Sequence, residues 1–201
     1  MMAESQKWVS LIILAAGRST RFGSNKLLFE IGCKKLIERV VGTSLASKVD
    51  EVVVVVGFER EKISPILEGY QCRIVFNPEF EKGQSSSVIA GVRSVRNEAD
   101  AIMILPGDMA YVSVEHINKI IEEYNAVPSS IVVACFEGKM GHPILFDRAL
   151  FNEILKITEE EFGLKEVVER HRTEIRRVEV GSAEVLLDVD VPEDVKLHRS
   201  Q

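Results

Sequence analysis

Cysteine is scarce: Cys33, Cys72 and Cys135 are the only three, and they are widely spaced. That excludes a disulfide framework and a C-x-x-C metal site, and leaves the three as structural residues, Cys72 and Cys135 as small hydrophobes in strand-like surroundings. No apolar run reaches membrane-spanning length, and the N-terminal MMAESQKW lacks the basic start and apolar core of a secretory leader. The expectation is a cytoplasmic protein with no membrane partner. Surplus positive charge is also missing: the formal net charge of −6 argues against a nucleic-acid partner, although a local basic loop can still hold a phosphate. Two familiar phosphate signatures are absent as well. Gly17 and Gly23 are too far apart for a Walker loop, Lys26 stands three residues past the second glycine, and no G-x-G-x-x-G follows the first strand.

What is present is an alternation of strand-like and helix-like segments over 201 residues, 46% hydrophobic and 28% charged. This pattern reads as an α/β fold of one domain, residues 1–201 with a core of about 9–195, built on a mostly parallel sheet. Val9 to Leu14 and the five valines Val52 to Val56 read as strands buried on both faces. Arg73 to Phe76, Ala101 to Leu105 and Ile131 to Phe136 continue the strand series, with Ile175 to Val180 and Glu184 to Asp188 as late strands. Helical spacing covers Lys35 to Ser47, Arg60 to Leu67, Ser85 to Arg96, Ser113 to about Tyr124, about Asp147 to Ile157, and Leu164 to Arg170; Pro192 opens a last helix. His116, His171 and His198 fall on these helices as surface residues.

The chemistry concentrates where strands end, which is where open α/β sheets bind ligands. After the first strand, the small residues Ala15, Ala16 and Gly17 allow backbone N–H groups to approach an anion. Arg18, Arg21 and Lys26 follow; Arg21 offers a planar fork and Lys26 a point charge, so a triphosphate suits the loop. Asp108, after Pro106-Gly107, reads either as a turn residue or as a metal ligand. Asp188 and Asp190 alternate in Leu187-Asp188-Val189-Asp190, so an extended chain points both one way. Asp108 with Asp190 would supply the oxygen donors that Mg2+ takes in phosphate chemistry, while Glu193 and Asp194 suit the start of the last helix.

A third element is Asn77-Pro78-Glu79-Phe80-Glu81-Lys82-Gly83-Gln84-Ser85-Ser86-Ser87. Gly83 permits close approach, and the helix start offers hydroxyls and free N–H donors to a ligand; one serine acting as a cap is the simpler alternative. Gly141-His142-Pro143-Ile144 is the fourth, and His142 reads equally as a structural histidine or a functional one.

The segment Leu14-Ala15-Ala16-Gly17-Arg18-Ser19-Thr20-Arg21-Phe22-Gly23-Ser24-Asn25-Lys26 resembles the L-A-A-G-x-S-x-R-[MF]-G-x-x-K signature of the molybdenum cofactor nucleotidyltransferases, especially the cytidylyltransferase branch. Guanylyltransferase relatives usually carry L-A-G-G at Leu14 to Gly17, so the likeness favours CTP over GTP. The other three motifs resemble family motifs in the same order, over about Leu11 to Val195. Ala110 stands where the family has proline after Asp108, and Val191 where it has threonine; neither change removes a carboxylate.

The resemblance implies a three-layer Rossmann-like (glycosyltransferase-A-like) fold and the transfer of CMP from CTP to the phosphate of molybdopterin, releasing pyrophosphate. It implies Arg21, Lys26, Asp108 and Asp190 as the catalytic set and Mg2+ on Asp108 and Asp190. Leu14, Ala15, Ala16, Gly17, Asn77, Gly83, Ser85 and Ser86 would border the nucleotide, and His142 the pterin. A molybdenum hydroxylase is the recipient it implies for the product. Three alternatives stay open: use of GTP, a sugar-phosphate acceptor, and a non-catalytic maturation factor for a molybdenum hydroxylase.

Overall fold

The computed structural model describes residues 6–189, and of Arg21 its backbone alone; Asp190, His198 and the helix expected from Pro192 lie outside the described residues. Nine strands occur among them: β1 (Val9–Ala15), β2 (Glu30–Ile31), β3 (Lys34–Lys35), β4 (Glu51–Val56), β5 (Arg73–Phe76), β6 (Ala101–Pro106), β7 (Ile131–Phe136), β8 (Lys139–Asp147) and β9 (Ile175–Glu179). The helices are α1 (Leu36–Leu45), α2 (Arg60–Leu67), α3 (Gln84–Ser94), α4 (Val114–Ala126), α5 (Phe151–Ile154) and α6 (Leu164–Arg170). β2 and β3 form a small antiparallel pair, and the other seven make one sheet in the order β5-β4-β1-β6-β8-β7-β9. Only β8 runs against its neighbours, so the sheet is mostly parallel.

Burial on both faces explains the central strands. Val52, Val54 and Val56 join Leu11 and Ile13 of β1 against α1, α2 and α4, whereas Val53, Val55 and Ile12 face α3, α5 and α6. The result is three layers, helices over sheet over helices. All five valines of β4 are at most 3% exposed, and each such side chain contributes about 1.5–3 kcal/mol of burial free energy. From β1 the chain steps to β4 and β5 on one side, then crosses to β6 on the other. The carboxyl ends of β1 and β6 therefore flank a topological switch point, where a crevice opens.

A tight turn at Glu137 and Gly138, both with positive φ, sends the chain back as β8, which carries the Gly141-His142-Pro143-Ile144 motif. Three sequence expectations are corrected. The helix expected from Asp147 is shorter, because Asp147 ends β8 and caps a 3-10 turn (Arg148–Leu150) before the single turn of α5. Glu184 to Asp188 is not a strand; Ser182 accepts the Glu184 N–H and starts a 3-10 helix over Ala183–Leu186. His116 is also not a surface residue: it is 7% exposed. Its ring accepts the Ser113 N–H while Ser113 Oγ accepts its own N–H, closing a capping box on α4. Burial pushes its pKa down against the pull of Glu184 and Glu115.

Candidate functional site

The loop after β1 is held from both sides. Phe58, just past β4, donates its N–H to the Ala16 carbonyl at 3.1 Å, and Gly107, just past β6, donates to the Leu14 carbonyl at 2.9 Å. Within the loop, Ser19 and Gly23 adopt left-handed backbone around the 3-10 turn Thr20–Phe22 that carries Arg21. Asn25, 4% exposed, then caps a second 3-10 turn, Lys26–Leu28, by accepting the Leu27 N–H at 3.2 Å. That turn aims Lys26 inward. Its Nζ lies 2.7 Å from Asp108 Oδ2, with the two side chains only 14% and 18% exposed.

Lys26 and Asp108 stand in the wall of a cavity of about 700 Å3 at the switch point, together with Leu14, Ala16, Gly17, Gly83 and Pro106. Phe80, Glu81, Gln84 and Ser87 complete the far wall. At the mouth, the Arg18 guanidinium pairs with Glu81 and lies 5.7 Å from the Phe58 ring centroid and 5.8 Å from that of Phe80. The cavity wall thus carries the Phe80 ring with the Arg18–Glu81 pair, and a charged end at Lys26 and Asp108.

Several residues singled out in the sequence stand behind this wall. Ala15 is 1% exposed inside β1. Asn77, 2% exposed, donates from Nδ2 to Ser86 Oγ at 2.9 Å and Ser87 Oγ at 3.0 Å, and its Oδ1 accepts the Glu79 N–H at 2.9 Å. It braces the turn that carries Phe80 and Glu81. Ser86 Oγ lies 2.9 Å from the Glu79 carbonyl and 2.8 Å from that of Gly83, and serves the same turn.

The start of α3 differs from the open donor site expected there. Glu159 Oε2 accepts the Ser85 N–H at 2.9 Å and the Ser85 hydroxyl at 2.6 Å. Burial pushes the Glu159 pKa up, but the Ser85 hydroxyl and the Ser85 and Gln84 N–H groups outweigh it and hold the carboxyl below its ordinary value. Glycine suits position 83 because its φ of +100° strains any other residue, and a Cβ there would also displace the Glu159 carboxylate. Sequence reasoning missed Glu159; a carboxylate 74 residues from its partner leaves no local signal.

The acidic corner forms from three segments. The Val189 N–H donates to the Asp108 carbonyl at 3.2 Å, which brings Asp188 beside the turn after β6. β6 and β8 pair antiparallel with Ile104 opposite Ile144, so the next step along the ladder sets His142 beside Pro106. Gly141 lets that strand abut the 3-10 helix over Ala183–Leu186, because a Cβ would lie 2.1 Å from the Val185 carbonyl oxygen. Asp108 Oδ1 and His142 Nδ1 are both sealed from solvent without a hydrogen-bond partner. Burial pushes the His142 pKa down, against Asp108, the Ile104 backbone and Asp188, which favour the proton. The cysteines are free: Cys33 is exposed, Cys72 half-buried and Cys135 buried. No helix among the described residues is long and apolar enough to cross a membrane.

A parallel sheet with a basic loop and a carboxylate meeting at its switch point is the frame of a nucleotidyltransferase. Residues 11–175 match the MobA-like NTP transferase domain, and the chain belongs to that family. It is 29% identical over 197 residues to the purine catabolism protein PucB of Bacillus subtilis, covering 94% of each. The crystal structure of Rv0371c from Mycobacterium tuberculosis is similar with a TM-score of 0.84 at 22% identity, over 98% of this chain and 100% of that one. A complex of Rv0371c with manganese also superposes, with a TM-score of 0.79 at 23% identity over 97% of this chain and 100% of that one. A nucleotidyl transferase from Methanothermobacter thermautotroptrophicus, Mth528, gives a TM-score of 0.81 at 23% identity over 96% of each.

Proposed function

We propose that this protein transfers CMP from CTP to the terminal phosphate of molybdopterin and releases pyrophosphate. The observation that carries the reading is the Lys26–Asp108 pair at 2.7 Å, where the cation and the carboxylate needed for phosphate chemistry share the cavity's charged end. An acceptor phosphate oxygen forms the new bond to the α-phosphorus of CTP as the bond between the α-phosphorus and its bridging oxygen to the β-phosphate breaks. Two anions must meet, so positioning and charge neutralisation supply the catalysis. Lys26 exchanges its contact with Asp108 for the α-phosphate and the incoming phosphate, and Arg21 holds the β- and γ-phosphates.

The donor chemistry of the acidic corner fits a divalent cation such as Mg2+. Asp108 Oδ1 is buried and unpartnered, and among the described residues no three His, Cys, Asp or Glu side chains stand close enough to hold a metal by themselves. Such a site leaves ligand positions for phosphate oxygens and water, the habit of Mg2+ in phosphate chemistry. Asp108 and Asp190 would hold the cation, which when bound neutralises charge on the phosphates.

The preference for CTP rests on the resemblance at Ala16, a cavity-wall residue where guanylyltransferase relatives usually carry glycine. His142 would border the pterin of the acceptor, as the resemblance implies. Pyrophosphate release from CTP and from GTP, each with and without molybdopterin, tests the reading; release that needs molybdopterin and prefers CTP is the expected result. Release from GTP alone reassigns the base, and release from neither with any acceptor overturns the transferase.

A further inference from the structure

We infer that the Phe80 ring is the platform on which the base of the donor nucleotide stacks, and that the Arg18 guanidinium, which covers the ring in this structure, gives up its place to the base. The inference rests on the transferase reading above for the presence of a nucleotide and assigns a residue to its base. Phe80 lines the same cavity as Lys26 and Asp108. Its face takes a flat group, since the Arg18 guanidinium carbon lies over it at 5.8 Å from the ring centroid. The ring is also fixed beside Ala16: a Cβ on Gly57 would lie 2.6 Å from Phe80 Cβ and 2.8 Å from Ala16 Cβ, so both residues close on one glycine. Asn77 and Ser86 hold Glu79, the residue before Phe80, by its N–H and its carbonyl, so a braced turn presents the ring.

An aromatic face attracts a cation or a second flat ring. In a nucleoside triphosphate the base is the flat ring, while the phosphates are drawn to Lys26. Every base has a π-face, so stacking supplies affinity for CTP and GTP alike and leaves the choice between them to other cavity residues.

The guanidinium is readily displaced. The Arg18 and Glu81 side chains are 53% and 63% exposed, and an exposed ion pair and an exposed cation–π contact are both weak. Arg18 belongs to the loop after β1, and Phe80 and Glu81 to the turn before α3, so their separation requires no movement of the sheet.

Calorimetric titration of the full chain with CTP, GTP and inorganic tripolyphosphate, each with Mg2+, tests the inference in the parent protein, Phe80→Leu and Phe80→Tyr. Phe80→Leu should weaken CTP and GTP about 5–150-fold and leave tripolyphosphate unchanged; Phe80→Tyr, which keeps the ring, should retain most of the nucleotide affinity. Unchanged CTP affinity in Phe80→Leu overturns the inference, as does an equal loss of CTP and tripolyphosphate. The parent protein supplies a second readout by NMR: the cytosine H5 and H6 signals of CTP should move upfield on binding, as protons stacked on a phenyl ring do, and an absent shift overturns the inference without any variant. Pyrophosphate release is measured separately. A raised KM for molybdopterin with an unchanged KM for CTP in Phe80→Leu gives the ring to the acceptor, which overturns the platform and leaves the transferase standing. Phe80-dependent CTP binding without turnover does the reverse.

Discussion

Lys26 Nζ and Asp108 Oδ2 meet at 2.7 Å, although one follows β1 and the other follows β6. The contact keeps two opposite charges in place in the cavity wall, where the proposed reaction receives phosphate charge. Lys26→Ala removes a preorganised cation, and its kcat should fall about 10²–10³-fold, equivalent to about 2.7–4 kcal/mol. Circular dichroism should stay unchanged. Full pyrophosphate release by this variant contradicts the role.

Glu159 ties the loop before α6 to the start of α3 through Ser85. Glu159→Ala leaves helix N–H groups uncapped and should cost about 0.5–2 kcal/mol, the range for losing an N-terminal cap. Urea denaturation measures it, and Glu159→Gln, which keeps an acceptor oxygen, should recover part of the loss. Equal stability of all three proteins rules the cap out.

At Gly141 the acidic corner depends on close backbone approach. Gly141→Ala places a methyl against the Val185 carbonyl, and backbone has no rotamer with which to yield. The 3-10 helix over Ala183–Leu186 must shift, and with it the Val189 contact to Asp108. Activity should drop by about tenfold or more, the scale on which a small misplacement is felt, and Mn2+ affinity should fall with it. A variant with parental Mn2+ affinity shows that the two segments are not coupled.

A pH effect is expected away from the site. His171 Nε2 lies 2.8 Å from Glu153 Oε2, and Nδ1 lies 3.2 Å from Glu174 Oε1. The Glu153 hydrogen bond above all, with Glu174 adding to it, raises the His171 pKa against a smaller opposing effect of burial. A raised folded-state pKa means that the contribution is complete below the unfolded value, about 6.5, and is lost as pH climbs through the folded value. Partial exposure limits it to about 1 kcal/mol. Urea midpoints should decline between pH 6 and 8.5 more steeply for the parent protein than for His171→Gln; parallel slopes remove the effect.

Much of the fold is legible in the sequence because the central strands declare themselves: five successive valines in β4 leave no polar face. α2 and α6 also fall where their helical spacing puts them. β8 is hidden because Gly138, Gly141 and Pro143 punctuate it like a loop. What permits the strand is tertiary: Gly141 is needed for the approach of Val185, and β6 and β7 flank β8 on both sides. His116 was readable, since Ser113 and His116 hold the three-residue spacing of a capping box with histidine in place of glutamate. In the candidate site, Lys26 and Asp108 are legible as loop residues at strand ends, but their pairing depends on strand order. Glu159 has no sequence signal at all, because its partner is reached only when α5 and α6 pack beside α3.

Pyrophosphate release from CTP and GTP, with Mg2+ and with or without molybdopterin, tests the central claim most directly. The account predicts release from CTP that requires molybdopterin and exceeds release from GTP. Release from neither nucleotide, under conditions where a related transferase turns over, contradicts it.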